Sequence, residues 1–167
     1  MAYQNRFNTV DLLITQLTPL SSQPGVDPLV LSSMAGLMAV EAVTAYELAI
    51  KDIFEDFSNR KHKVFGCFVK TTYSRLNGRI QYKEIKDNLV KSYGDKYLQR
   101  FVSKIASKSQ YILATEHVDL IQTYNSLILS RHSFVHSGNL TMTLTESIRY
   151  YNIGKQLIMV LDETMKR

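Results

Sequence analysis

The chain has 167 residues, of which 45% are hydrophobic and 21% charged, with only 7 Gly and 3 Pro. This length and composition are typical of one globular domain and exclude a disordered, collagenous or low-complexity protein. The single cysteine, Cys67, cannot form an internal disulfide, and the N-terminus has no secretory signal pattern, so we expect a cytoplasmic protein. The longest apolar stretch, residues 34–50, is interrupted by Glu41 and Glu47. We therefore expect no membrane-spanning segment and no membrane partner.

Positive charge is concentrated in the middle of the chain. The net charge is +5 overall, but residues 59–108 hold 13 Lys and Arg and 3 acidic residues, a net charge of +10. Tyrosine and phenylalanine are interleaved with these cations, so the segment could attract the phosphates of RNA or DNA and stack on the bases. The alternative is a solvated helical surface whose lysines keep the protein in solution. Charge alone does not choose between the two.

The N-terminal third is predicted to be helical from the spacing of its apolar residues. A first short helix is expected over 3–18, ending before Pro19. After a loop, Asp27 is the expected N-cap and Pro28 the first residue of a long helix that runs to about Phe57. Apolar positions lie nearly all round this second helix, so we expect it to be central and buried.

The rest of the chain is also predicted to be helical, except that residues 59–82 show no clear periodicity and receive no prediction. We expect two short basic helices over 82–92 and 95–107, a long helix over 115–136 capped at Ser137-Gly138-Asn139, and a last helix from the capping box Thr143 to Glu146 onward. Gly154 in the last helix would let another helix approach closely. No pattern indicates a strand.

The predicted fold class is therefore all-α. We expect a single-domain helical bundle with its core over about residues 28–166. In this bundle the short basic helices of the segment 59–108 are inserted between the long central helix and the helix over 115–136.

Two charged residues occupy positions where the helical pattern calls for apolar ones. Arg131 lies in an apolar stripe, between Leu127 and Phe134, and Glu47 lies in a similar stripe of the second helix. Burying either charge alone would cost several kcal/mol, whereas a hydrogen-bonded pair costs far less. We therefore predict that Glu47 and Arg131 form an ion pair, with Glu41 as a competing partner. Such a pair could be purely structural or could belong to a site.

Two histidines follow Arg131 on the same helix. His132 and His136 are four residues apart, a spacing that can hold Zn²⁺, but a third ligand and the glutamate of a His-Glu-x-x-His motif are missing. We therefore expect no metal and no cofactor. His136 lies about 140° round an ideal helix from Arg131, so two helix ends related by a two-fold axis would make a better anion site than one. Imidazole groups that move protons and a guanidinium that neutralises phosphate are the parts of a phosphodiester-cleaving site.

The segment Ser-Arg131-His-Ser-Phe-Val-His136-Ser-Gly138 resembles the Arg-x(4–6)-His motif of the HEPN superfamily, in particular its RiboL-PSP-HEPN branch. The similarity extends to Tyr46-Glu47-Leu-Ala-Ile-Lys51 and to Ser-Arg75-Leu-Asn-Gly-Arg79, and it covers residues 30–160 approximately. Two positions depart from the family. His132 stands where asparagine is frequent, and Gly138 stands where some HEPN toxins carry a tyrosine that a partner modifies.

The resemblance implies a metal-independent endoribonuclease that acts as a homodimer in toxin–antitoxin, abortive-infection or anti-phage systems, with an antitoxin or another protein as a further partner. In that family the 2′-hydroxyl of the RNA attacks the adjacent phosphate and leaves a 2′,3′-cyclic phosphate end. The implied roles are general acid and base for His136, phosphate stabilisation for Arg131, orientation of Arg131 or its helix for Glu47, and support for His132.

The resemblance also implies a role for the basic segment 59–108, which would follow the RNA backbone. The expected contacts are Arg75, Arg79, Lys83 and Lys86. The alternative function is a non-catalytic helical adaptor that binds RNA or a protein partner, in which Arg131 and Glu47 are only a buried clip.

Overall fold

The computed structural model describes residues 2–21, 23–138 and 142–166, and within these ranges the chain forms helices and turns with no strand. After a 3-10 segment (Ala2–Phe7) the helices are α1 (Asn8–Ser21), α2 (Pro28–Lys61), α3 (Lys63–Tyr73), α4 (Tyr82–Glu84), α5 (Asp95–Glu116), α6 (Leu120–Ser137) and α7 (Leu144–Met165). A π-helix (Ile85–Val90) and a 3-10 turn (Lys91–Tyr93) continue α4. The predicted all-α bundle is confirmed.

α2 is the central helix, and α1, α3, α6 and α7 all pack against it. It begins as predicted, because the Asp27 side chain accepts a hydrogen bond from the first turn and Pro28 takes the first position. It ends at Lys61, a turn beyond the predicted Phe57, where His62 caps it and starts α3. α2 is long and apolar enough to cross a membrane, but its contacts with helices on several sides are those of a core helix.

α2 and α6 run antiparallel in a register that two contacts define. A Cβ added to Gly36 would lie 2.2 Å from the Phe134 ring, so α6 comes very close to the α2 backbone at this point. Further along α2 and further back along α6, the rings of Tyr46 and Tyr124 stack with their centroids 5.4 Å apart. The two contacts determine which residues of the two helices lie at the same level.

Tyr46 lies at the centre of the bundle, between α6 and α7. Its ring also stacks on Tyr151 at 5.8 Å between centroids, and its hydroxyl donates to the Tyr151 carbonyl oxygen at 2.6 Å. A Cβ on Gly154 would lie 2.6 Å from that hydroxyl, which confirms the close helix approach predicted there. Burial raises the pKa of both Tyr46 and Tyr124 well above the ordinary value, so both rings are neutral in the core.

Other helix boundaries also differ from the prediction. α1 continues for two residues past Pro19, so the proline lies within its last turn. The helix predicted over 95–107 continues as α5 to Glu116, where His117 ends it in a left-handed conformation with φ 57°. The helix predicted from Thr115 to His136 therefore begins later, as α6, after its own N-cap Asp119.

The remaining elements follow local signals. The segment that received no prediction contains α3 and the loop 74–81. The predicted capping box of the last helix is confirmed, with Thr143 and Glu146 bonded to each other's backbone amides. α7 then runs to Met165.

Candidate functional site

Arg131 lies on α6 and is partly buried, in agreement with its position in an apolar stripe. Its Nε atom is fully buried and has no hydrogen-bond partner. A buried guanidinium N–H without an acceptor is unfavourable by about 1–3 kcal/mol, so an incoming anion that accepts from it would be favoured. Phe134, one turn further on, fixes the level of this helix against Gly36.

The two histidines lie at the exposed end of α6. The rings of His132 and His136 are in contact, with 4.3 Å between their centroids, and both side chains are exposed. α6 ends just beyond them at Gly138, whose left-handed conformation (φ 69°) confirms the predicted C-cap; Asn139 of the predicted cap lies outside the described residues. Two adjacent imidazoles can serve one reaction, with one accepting a proton while the other donates one.

Glu47 does not meet Arg131, and the predicted ion pair is wrong. Glu47 Oε1 accepts from Lys51 Nζ at 2.7 Å, and Oε2 accepts from the Gly78 amide at 2.8 Å. The competing partner, Glu41, is exposed. Among the described residues neither carboxylate makes an ion pair with Arg131.

The register of α2 and α6 explains why the prediction failed. The contact between Gly36 and Phe134 puts Arg131 level with about residue 39 of α2. Glu47 lies eight residues further along, roughly 12 Å at 1.5 Å per residue. Helical periodicity assigned both residues correctly to inward-facing stripes, but it carries no information on their levels along the bundle axis.

Glu47 instead helps to fasten the loop 74–81, which carries Arg75 and Arg79. Three side chains bond the backbone of this region to α2 and α6: Glu47 to Gly78 N at 2.8 Å, Tyr124 Oη to Ile80 O at 2.7 Å, and Asn125 Oδ1 to Tyr82 N at 3.0 Å. Arg75 and Arg79 themselves are exposed. The loop therefore presents two arginines from a fixed backbone.

The roles of Tyr124 and Asn125 in holding this loop are not predicted from the sequence. The spacing does place Asn125 on the histidine side of α6, because Asn125 lies seven residues before His132 and therefore on the same helical face. This face also includes His136. The start of α4 is therefore on the same side of α6 as the two histidines, roughly 10 and 16 Å from them along the helix axis.

Two predicted RNA contacts lie just beyond the loop, on the helical segment that begins at α4. Lys83 is exposed. Lys86 is partly buried, lies 3.3 Å from Asp87, and has its ammonium 5.9 Å from the centre of the Tyr82 ring. The charge of Lys86 is thus partly compensated, whereas that of Lys83 is available to an anion. In the part of the chain that the structure describes, no three His, Cys, Asp or Glu side chains group together as metal ligands would.

Comparison with known proteins identifies the family of the chain. The family model of RiboL-PSP-HEPN matches residues 2–167, which includes α6 with Arg131 and His136. No curated protein and no solved structure matches the chain. A HEPN-type domain indicates a function related to RNA or to nuclease activity. Because the match covers nearly the whole sequence, the chain belongs to the RiboL-PSP-HEPN family.

Proposed function

We propose that the protein is a metal-independent endoribonuclease that acts as a homodimer. The observation that carries this proposal is the group at the end of α6, where two exposed histidines are in ring contact and the neighbouring Arg131 has a buried N–H without an acceptor. A phosphodiester would supply that acceptor through a phosphate oxygen, and the histidines would lie beside it.

The chemistry needs two proton transfers and one stabilised charge. The RNA 2′-hydroxyl attacks the adjacent phosphorus and loses its proton to a base, the bond from phosphorus to the 5′-oxygen breaks, and an acid protonates that oxygen. The products are a 2′,3′-cyclic phosphate and a 5′-hydroxyl. His136 acts as general acid or base with support from His132, and Arg131 neutralises the charge that develops on the phosphate. Glu47 acts at a distance, through the loop that carries Arg75 and Arg79.

The proposed dimer joins two copies at the motif end of α6. Leu37 is 57% exposed and Val135 is 51% exposed, and they directly follow Gly36 and Phe134, the residues at which α2 and α6 touch. Exposed apolar side chains beside a polar site favour an interface with a second copy. A two-fold axis at this end would bring Arg131 and His136 of both subunits to one cleft.

The biological setting that we propose follows from the family resemblance. It is a cytoplasmic toxin–antitoxin, abortive-infection or anti-phage system, in which an antitoxin or another protein controls the nuclease. The basic residues Arg75, Arg79 and Lys83 are proposed to hold the RNA backbone.

The test is cleavage of mixed single-stranded and structured RNA in excess chelator, with the product ends identified. We expect the wild type to leave 2′,3′-cyclic phosphates and His136→Ala to lose about 100-fold or more of the rate, the usual size of a general acid–base contribution. The matched control is His117→Asn, which removes an exposed histidine outside the motif and keeps a residue type that tolerates the left-handed backbone. If neither wild type nor His136→Ala cleaves while both bind RNA equally, the non-catalytic adaptor is the better description.

A further inference from the structure

α3 exposes an aromatic and apolar face. Val64 is 69% exposed, Phe68 65% and Phe65 37%. α3 packs on α2 through Gly66 and Val69, which are buried. The three exposed side chains therefore project from the parts of α3 that this contact leaves open.

Lysines that form no ion pair among the described residues flank this face in sequence. The ring of Phe65 lies 5.9 Å from that of Tyr93, which extends the face to the turn before α5. Two exposed lysines flank the start of α3 and two lie within three residues of Tyr93: Lys61, Lys63, Lys91 and Lys96. None of these four lysines forms an ion pair among the described residues. We call these lysines, together with Val64, Phe65 and Phe68, the α3 surface.

Charge and ring chemistry determine what the α3 surface can bind. A second copy of the same surface would bring unpaired lysines against one another, which is unfavourable. The partner must therefore carry negative charge, and it must also cover the exposed rings of Phe65 and Phe68. Single-stranded RNA meets both needs, because its phosphates neutralise the lysines and its unpaired bases stack on aromatic side chains.

The α3 surface is far from the motif but lies along the same central helix. Gly66 packs against Asn59, and Lys70 pairs with Glu55 at 3.1 Å, so α3 runs back along the C-terminal half of α2. Arg131 is level with about residue 39, which is roughly 30 Å away along the α2 axis. The loop 74–81, fastened at Glu47, lies between the two levels.

We propose that the α3 surface is a second binding site for single-stranded RNA, separate from the Arg131 and His136 motif, in which bases stack on Phe68 and Phe65. This inference rests on the proposed function and deepens it, because it gives the RNA substrate a contact several nucleotides from the cleaved bond.

The test measures binding of a fluorescent 2′-O-methyl oligouridine of roughly 12 nucleotides, within the site sizes of single-strand binders. The probe has no free 2′-hydroxyl, so binding is measured without cleavage. Phe68→Leu keeps apolar area but loses the ring, and Phe68→Trp keeps an aromatic ring. We expect Phe68→Leu to weaken binding about fivefold or more, the loss of one stacked base, and Phe68→Trp to bind as well as the wild type.

Charge variants test the lysines in the same assay. Lys63→Gln is expected to reduce the slope of log affinity against log salt by about 0.7, the value for one phosphate contact on a single strand. The matched control is Lys104→Gln, because Lys104 is also a basic-segment lysine but is paired with Glu163 at 2.7 Å. Thermal unfolding of every variant shows whether the exposed substitutions leave the fold intact.

Different results overturn different proposals. If Phe68→Leu binds the probe as tightly as the wild type, or if the protein binds phosphatidylserine vesicles through Phe68 and the oligonucleotide without it, the α3 surface is not an RNA site. If the wild type binds the probe in a manner that depends on the Phe68 ring but cleaves no RNA, the α3 site stands and the proposed nuclease activity does not.

Discussion

At the scale of single residues, Arg131 and Glu47 differ in whether their buried polar atoms have hydrogen-bond partners. The Arg131 Nε is buried with no acceptor, whereas both oxygens of Glu47 are already bonded, to Lys51 and to the Gly78 amide. An unsatisfied buried donor in a folded protein calls for an explanation, such as a bound water, an ion or a catalytic role. A fully satisfied carboxylate is typical of a positioning residue, and the segment that it positions is the arginine-bearing loop.

Replacing Glu47 by glutamine tests this division of roles. The amide has only one acceptor oxygen and no charge, so it cannot accept from Lys51 and Gly78 through two separate oxygens as the carboxylate does. For a side chain that is 19% exposed we expect the free energy of unfolding to fall by about 1 kcal/mol. Hydrogen exchange at Gly78 should become faster, and the KM for RNA should rise with little change in kcat. Glu41→Gln, the same change at an exposed position, is the control. A loss of kcat as large as that of His136→Ala would instead mean that Glu47 acts at the reacting phosphate.

At the scale of elements, the position of α6 depends on one glycine in α2. Three ring atoms of Phe134 lie 2.2–2.5 Å from where a Cβ of Gly36 would be, so no larger residue fits without movement. Phe134 lies between Arg131 and His136 in sequence. The level and orientation of the motif are thus set by this contact between helix backbone and ring.

Gly36→Ala is expected to destabilise the protein. Forcing a methyl group into a packed contact costs about 1–3 kcal/mol. The higher helix propensity of alanine relative to glycine offsets only about 1 kcal/mol of this cost. In a Phe134→Ala background the ring atoms that the methyl group would meet are absent, so the same glycine substitution should become neutral or stabilising. Urea unfolding of the four proteins in this double-mutant cycle measures the coupling. Equal effects of Gly36→Ala in both backgrounds would show that the ring does not determine the helix spacing.

Local signals in the sequence predicted much of the fold, because caps and periodicity depend on neighbouring residues. The start of α2 at Asp27, the capping box at Thr143 and the end of α6 at Gly138 were all predictable in this way. Properties that depend on distant residues were not. The end of α5 at His117 depends on a left-handed backbone conformation at a residue other than glycine. The level of Arg131 relative to Glu47 depends on how two helices far apart in sequence pack.

At the scale of the whole molecule, the basic segment is less uniformly available than its net charge indicates. Some of its lysines are used within the bundle: Lys70 pairs with Glu55, and Lys104 pairs with Glu163. Among the described residues, the cations of the segment that form no ion pair include Arg75 and Arg79 on the loop 74–81, Lys83, and the lysines of the α3 surface. The proposed RNA contacts are therefore a subset of the cations in the basic segment.

The proposed dimer predicts that two inactive variants can restore activity together. Arg131→Gln and His136→Ala should each abolish cleavage as homodimers. After mixing and subunit exchange, a heterodimer would hold one intact Arg131 and one intact His136 in the shared cleft, so cleavage should reappear and peak at equal amounts of the two variants. Leu37→Glu combined with Val135→Glu places like charges in the proposed dimer interface and should give a folded monomer by sedimentation, without activity and without complementation. Mixtures that stay inactive, although sedimentation shows dimers and exchange, would mean that each subunit carries a complete site of its own.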